Sequence, residues 1–164
     1  MAILFSGREM LEVALVIEKT GETFYTTLAQ KAQQPLSRAA YDFLAVQERH
    51  HYQGFKKMLD SLGEPPAPEA YAGEHAAYVQ SLARDRVFPD DQVAREMATK
   101  ATDLEAINIA LGAERDSLLF YWEMRGLVRQ VDQAVVDRVM DEERSHVQRL
   151  TELKKKALEQ QGGA

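Results

Sequence analysis

Two copies of Glu-x-x-His, Glu48/His51 and Glu143/His146, each follow a lone Glu that has a Tyr seven residues on: Glu18/Tyr25 before the first, Glu114/Tyr121 before the second. Residues three apart on a helix share a face and project the same way. A Glu and a His so placed can therefore hold one metal ion between them. The two copies together offer four carboxylates and two imidazoles, a donor set of oxygen and nitrogen without sulfur. That set suits iron or manganese, with zinc as a credible substitute in a purified sample.

Four helices are needed to bring these residues together. Apolar residues recur at three- and four-residue steps through most of the chain, which is the helical period. Helix A is expected over about 7–33, with Leu11, Ala14, Tyr25, Leu28 and Ala32 inward and Pro35 as its stop. Helix B follows over about 36–62, with Tyr41, Leu44, Phe55, Met58, Leu59 and Leu62 inward, and ends at Gly63 and Pro65-Pro66-Ala67-Pro68. Helix C carries Leu104, Ile107, Leu111, Leu118 and Tyr121, is capped by Thr102 or Asp103, and fades near Gly126. Helix D runs over about 131–159 with Val136, Val139, Leu150 and Leu153 inward, leaving Gln160 to Ala164 as a frayed tail.

The A–B and C–D links are short, so each pair is an antiparallel hairpin. The stretch from Gly63 to about Thr102 is a long crossover, and its Glu74 to Val87 part is a candidate short helix. The fold expected is all-α: a four-helix bundle of two hairpins joined by that crossover, with residues 1–164 forming one domain.

Extending each inner stripe through its gaps places Glu18, Glu48, His51, Glu114, Glu143 and His146 in the core. Four ionised carboxylates buried together would repel each other and lose their hydration, so something positive must sit among them. The stripes hold almost no Lys or Arg at these levels, whereas two divalent cations cancel four carboxylate charges. A single Glu-x-x-His would be an ordinary surface pair; six inward residues whose spacing repeats between the halves are not. Glu48 and Glu143 are the expected bridges, Glu18 and Glu114 terminal carboxylates, and His51 and His146 cap one ion each, with the ions ~3.5–4 Å apart. Tyr25 and Tyr121 are expected to bond Glu114 and Glu18 across helices A and C.

Neighbouring polar residues fit less well. His50 points about 100° away from His51, Glu22 and Glu142 lie off the stripes and are expected to be exposed, and Glu74-His75 follows a Pro-rich segment. Trp122, Met124 and Met140 read as packing or interface residues.

Bulk properties narrow the function. A net charge of −6 and a pI near 5.3 argue against nucleic-acid or polybasic membrane-surface binding. With no cysteine, disulfides, iron–sulfur clusters and Cys-ligated metal sites are excluded. The apolar opening Met1 to Phe5 is too short for a signal core or a membrane span, so the cytoplasm is the expected compartment.

The segments VIEKTGETFY, QERHH, GAERDSLLFY and EERSH resemble those of the ferritin-like carboxylate proteins, and within them the rubrerythrin group without its rubredoxin domain. The resemblance spans helices A to D. It implies two iron ions per chain, held by Glu18, Glu48, His51, Glu114, Glu143 and His146, that react with hydrogen peroxide or dioxygen in oxidative-stress defence or iron handling. Turnover would then draw on an external electron donor. In rubrerythrins a further carboxylate usually follows three residues after the helix C Glu; here that position is Ser117. The six-residue set is equally similar to that of bacterioferritin, which implies ferroxidase activity as the alternative, and a metal-sensing bundle without turnover is a third possibility. A homodimer is expected, with Phe88 and Trp122 as exposed apolar residues that would find partners there.

Overall fold

The computed structural model describes residues 7–63, 102–126 and 128–162. They form helices α1 (Gly7–Lys31), α2 (Pro35–Asp60), α3 (Asp103–Arg125) and α4 (Gln133–Gly162), with a single 3₁₀ turn, Gln130–Asp132, leading into α4. The all-α bundle expected from the periodicity is what these residues build. Phe88, Glu74-His75 and the expected crossover helix lie outside the described residues.

Local chemistry sets the helix ends. Pro35 does more than stop the first helix: it opens the second, where its fixed φ suits the first turn and its missing N–H is no loss. Gly63 takes a φ of +74°, the left-handed conformation that closes α2 cheaply only for glycine. Thr102 caps α3 through a capping box, its hydroxyl accepting from the Glu105 N–H while the Glu105 carboxylate accepts from the Thr102 N–H. At the start of α4, Arg129 bonds Asp132 at 2.6 Å and Ser61 at 2.7 Å, tying the end of α2 to the second hairpin. Helix α4 continues to Gly162, past the residue at which fraying was expected.

Contacts between named residues give the helix directions. Arg8 bonds the carbonyl of Gly63 and Arg49 bonds Glu22, so α1 and α2 are antiparallel. Arg125 bonds Asp137 and His146 meets Glu114, which makes α3 and α4 antiparallel as well. Tyr25 reaches Glu114 while Tyr121 reaches Glu18, so α1 and α3 also run in opposite senses. Packing within each hairpin is more extensive than packing between them. The polar cluster therefore lies where the two hairpins meet.

Above and below that level the interior is apolar. Leu11, Ala14, Tyr25, Leu28, Tyr41, Leu44, Phe55, Ile107, Leu111, Val136, Val139, Leu150 and Leu153 are buried, and Met124 and Met140 join them. Leu59, Leu62, Leu104 and Leu118 are half-buried at the edges. Burying a side chain of the Leu, Ile or Phe size stabilises by about 1.5–3 kcal/mol. This margin lets the middle of the bundle carry charge.

Candidate metal centre

All six predicted residues converge in the core: Glu18 from α1, Glu48 and His51 from α2, Glu114 from α3, Glu143 and His146 from α4. None is more than 2% exposed. Their donor atoms fall into two groups, Glu18/Glu48/His51/Glu143 and Glu48/Glu114/Glu143/His146, and within each the atoms lie within 4.8 Å of one another. Glu48 and Glu143 belong to both groups. In each histidine it is Nδ1 that faces the carboxylates. His51 Nδ1 lies 3.3 Å from Glu18 and 3.1 Å from Glu143; His146 Nδ1 lies 3.2 Å from both Glu114 and Glu143 and 3.8 Å from Glu48. The two imidazoles stack at 5.5 Å, tilted by 22°.

Burial and mutual repulsion decide the charge state. Desolvation, and then the charges of Glu18, Glu143 and Glu114, push the Glu48 carboxyl well above its usual range. Burial and Glu143 raise Glu114 to about 8. Burial alone would push Glu143 up too, but its close contacts with Glu114, His146 and His51 hold it below the usual carboxylate range. Burial would lower the histidines; instead their carboxylate partners raise His51 to about 11 and His146 to about 9. Protons on imidazoles and on part of the carboxyl set thus supply the positive charge that the sequence demanded.

That arrangement leaves polar atoms unsatisfied. Glu18 Oε2, Glu48 Oε1, His51 Nδ1 and Glu143 Oε1 are buried without a hydrogen bond, although they crowd together. A buried donor or acceptor left unpaired costs about 1–3 kcal/mol. All four belong to the Glu18/Glu48/His51/Glu143 group and could instead donate a lone pair to a cation at its centre; in the other group His146 Nδ1 meets Glu114 and Glu143, and the two donor sets together fit a pair of metal ions.

Residues around the cluster fix its outer atoms. Tyr25 donates to Glu114 Oε1 and Tyr121 donates to Glu18 Oε1, the crossed pairing expected from their twin positions. Burial, with the charges of those same carboxylates, raises both phenols well above their usual range, so they remain donors. Phe43 stands edge-on to His146 at 6.4 Å, and Arg149 lies 4.0 Å over the outer face of the Phe43 ring. Ser117 is buried one turn beyond Glu114. Among the described residues, α3 contributes one carboxylate to the two groups.

Two expectations about the flanking acids need correction. Glu22 is not a free surface residue: its side chain is 13% exposed and accepts from Lys19 at 2.8 Å and Arg49 at 2.7 Å, linking α1 to α2. Glu142 is half-buried and accepts from His51 Nε2 at 2.8 Å. Both sit about one residue off an inner stripe, where they reach an adjacent helix; the stripe alone carries no sign of this. His50 is exposed, as its angle predicted, and Trp122 is 64% exposed.

Comparison with known proteins agrees with the geometry. The family model described as Rubrerythrin matches residues 9–154. A provisionally assigned ferritin-like diiron-carboxylate protein from Thermotoga maritima superposes with a TM-score of 0.71 at 27% identity, covering 93% of this chain and 97% of that one. A hypothetical protein from Pyrococcus furiosus superposes with a TM-score of 0.72 at 24% identity, covering 94% and 92%. No curated protein matches.

Proposed function

The chain belongs to the rubrerythrin family, and on that premise we propose that its buried Glu/His cluster holds two iron ions that react with hydrogen peroxide or dioxygen. The observation that carries this reading is the pair of four-residue donor groups sharing Glu48 and Glu143. Glu18 and His51 would hold one ion and Glu114 and His146 the other, with Glu48 and Glu143 belonging to both donor groups. Iron fits a sulfur-free set of carboxylates and imidazoles, and manganese or zinc are the substitutes. When bound, the metal pair supplies the electrons that reduce the oxidant, and an external donor restores them.

The protein's own part is charge, position and proton traffic. Four carboxylates balance two divalent ions in a site that bulk water does not reach. Tyr25 and Tyr121 hold the outer oxygens of Glu114 and Glu18, which keeps each carboxylate turned toward its own group. Phe43 packs at a right angle to the His146 ring. Protons displaced from Glu48, Glu114 and the two Nδ1 atoms leave acceptors where metal is held. The same reading includes a homodimer, supported by Leu119 and Trp122, 60% and 64% exposed on α3.

One observation favours ferroxidase as a second reading: with Ser117 on α3, the cluster has the six-residue composition that also resembles bacterioferritin. Stopped-flow mixing of the anaerobically iron-loaded protein with each oxidant separates the two. A fast step with peroxide and retained iron is expected. Preference for dioxygen with release of Fe(III) would transfer the assignment to ferroxidase, and sluggishness with both would leave a metal-binding bundle without turnover.

A further inference from the structure

Beyond the six core residues, we infer that Glu142 is a positioning residue that fixes the His51 imidazole and so sets the strength of one of the two metal positions. The inference rests on the dimetal reading above. His51 is 1% exposed, and its two ring nitrogens face opposite ways: Nδ1 into the carboxylate group, Nε2 onto Glu142 Oε2 at 2.8 Å. A carboxylate oxygen can only accept here, so Nε2 carries the hydrogen. When a cation displaces the Nδ1 proton, the hydrogen that stays is the one on Nε2, so Nδ1 offers the lone pair and the ring cannot flip without losing the bond to Glu142. Outer partners of this type orient a ligating imidazole and strengthen it as a donor.

Glu142 is well placed for this role. Its side chain is 38% exposed and lines a surface groove of about 560 Å³ between α2 and α4, together with His50, Lys57, Asp132 and Arg138. Arg138 lies 3.9 Å from its other oxygen, one helical turn away, and steadies it loosely. In the other half of the site the edge of the imidazole meets an apolar ring, Phe43, instead of an acid. His51 itself borders this groove, and Glu142 covers its Nε2 edge there, so Glu142 acts on the His51 position and not on that of His146.

The test uses Co(II) and the full chain. Competition titration against a chelator gives the affinity of each site, and proton NMR of the Co(II)-loaded protein shows the ring N–H of each ligating histidine as a hyperfine-shifted exchangeable signal. Wild type should take up two ions and show both N–H signals, that of His51 being protected from the groove by its bond to Glu142. E142A should keep one ion at wild-type affinity, bind the second about 10–100-fold more weakly, and lose one N–H signal to solvent exchange. E142Q retains an oxygen that can accept from Nε2–H, so it should restore the signal and most of the affinity. D141A removes a carboxylate from the same turn that is bonded to Arg144 rather than to a histidine, and should match wild type. Two tight ions and both signals in E142A would overturn the inference, as would an equal loss in D141A, since net charge would then explain it. A wild-type chain that binds no Co(II) would instead remove the dimetal reading, and this inference with it.

Discussion

Replacing Glu48 with Gln should stabilise the metal-free protein, and the gain should grow with pH in a defined way. In the fold, burial and three neighbouring carboxylates raise Glu48 well above its usual 4.5. In the unfolded chain it ionises freely. A carboxyl whose folded pKa is raised contributes nothing unfavourable below pH 4.5; above that, the unfolded state is favoured by about 1.4 kcal/mol per pH unit until pH reaches the folded pKa. At pH 6.5, two units higher, the loss at this one residue reaches about 3 kcal/mol at most, its value when Glu48 keeps its proton throughout. Gln has the shape of the protonated acid and never ionises. E48Q should therefore gain up to about 3 kcal/mol at pH 6.5, or as much as roughly 6–12 °C in melting temperature for a chain of this size, and should gain almost nothing at pH 4.5. E48A removes the same electrostatic burden but leaves a cavity, which costs about 2–5 kcal/mol for a truncation of this length. It should be clearly destabilised at pH 4.5 and come close to wild type at pH 6.5. Thermal melts of the apo proteins across that range decide the matter. A pH-independent difference between E48Q and wild type would refute the reasoning, since it would mean that Glu48 is ionised in the fold and balanced by a fixed cation. With Fe(II) present the order should reverse, because the neutral amide cannot serve two ions at once.

Further outcomes follow from the same charge map. Metal uptake at pH 7 should release several protons per chain, because His51 at about 11, His146 at about 9, Glu114 at about 8 and the raised Glu48 all hold protons in the apo state. Affinity should fall as pH drops from 8 to 6; calorimetry in buffers of different ionisation heat counts the protons, and fewer than two would contradict the assignment. H51A should act oppositely to E48Q in the apo protein. The raised pKa of His51 gives stability that is complete below 6.5 and lost as pH rises through about 11. Its removal strips Glu18 and Glu143 of their cation and should cost ~3–5 kcal/mol near neutrality in urea titrations. Y25F and Y121F each delete a donor to a buried carboxylate and should each cost about 1.5–3 kcal/mol; a neutral result for either would show that its hydrogen bond contributes nothing.

The fold was legible because periodicity and punctuation agreed along most of the chain. The inner stripes named a core that the structure buries, and of the two caps expected for α3, Thr102 or Asp103, it is Thr102 that serves. The convergence of six residues was legible for a related reason: a polar residue on an apolar stripe has nowhere to go but inward. Misreadings came where a residue's fate depends on a neighbouring helix. Periodicity gives the face of one helix; it does not say how wide the seam with its neighbours is. Glu22 and Glu142 lie at the edges of such seams, so each read as surface and each has a cross-helix partner instead. Pro35 was read for the helix it ends, though the same fixed φ suits the helix it begins. The last turns of α4 lack a strong stop before Gly162, and the helix simply continues.

The repeat in the sequence implies two equivalent halves, yet their surroundings differ at the outer edge of the imidazoles. The residue before Glu143 is an acid that accepts from the histidine of the opposite hairpin; the residue before Glu48 is Gln47, an amide, and the ring of His146 abuts Phe43 with Arg149 above it. One half therefore has a carboxylate beside its imidazole, and the other an aromatic wall with a cation beyond. An imidazole that donates to a carboxylate is the stronger electron donor, and a cation held by it tolerates higher charge. The pseudo-symmetry that makes the cluster easy to recognise thus supplies its composition, whereas the departures from it, Glu142 against Gln47 and Phe43, are what can make its two positions chemically different. That difference arises from residues that no ligand motif contains.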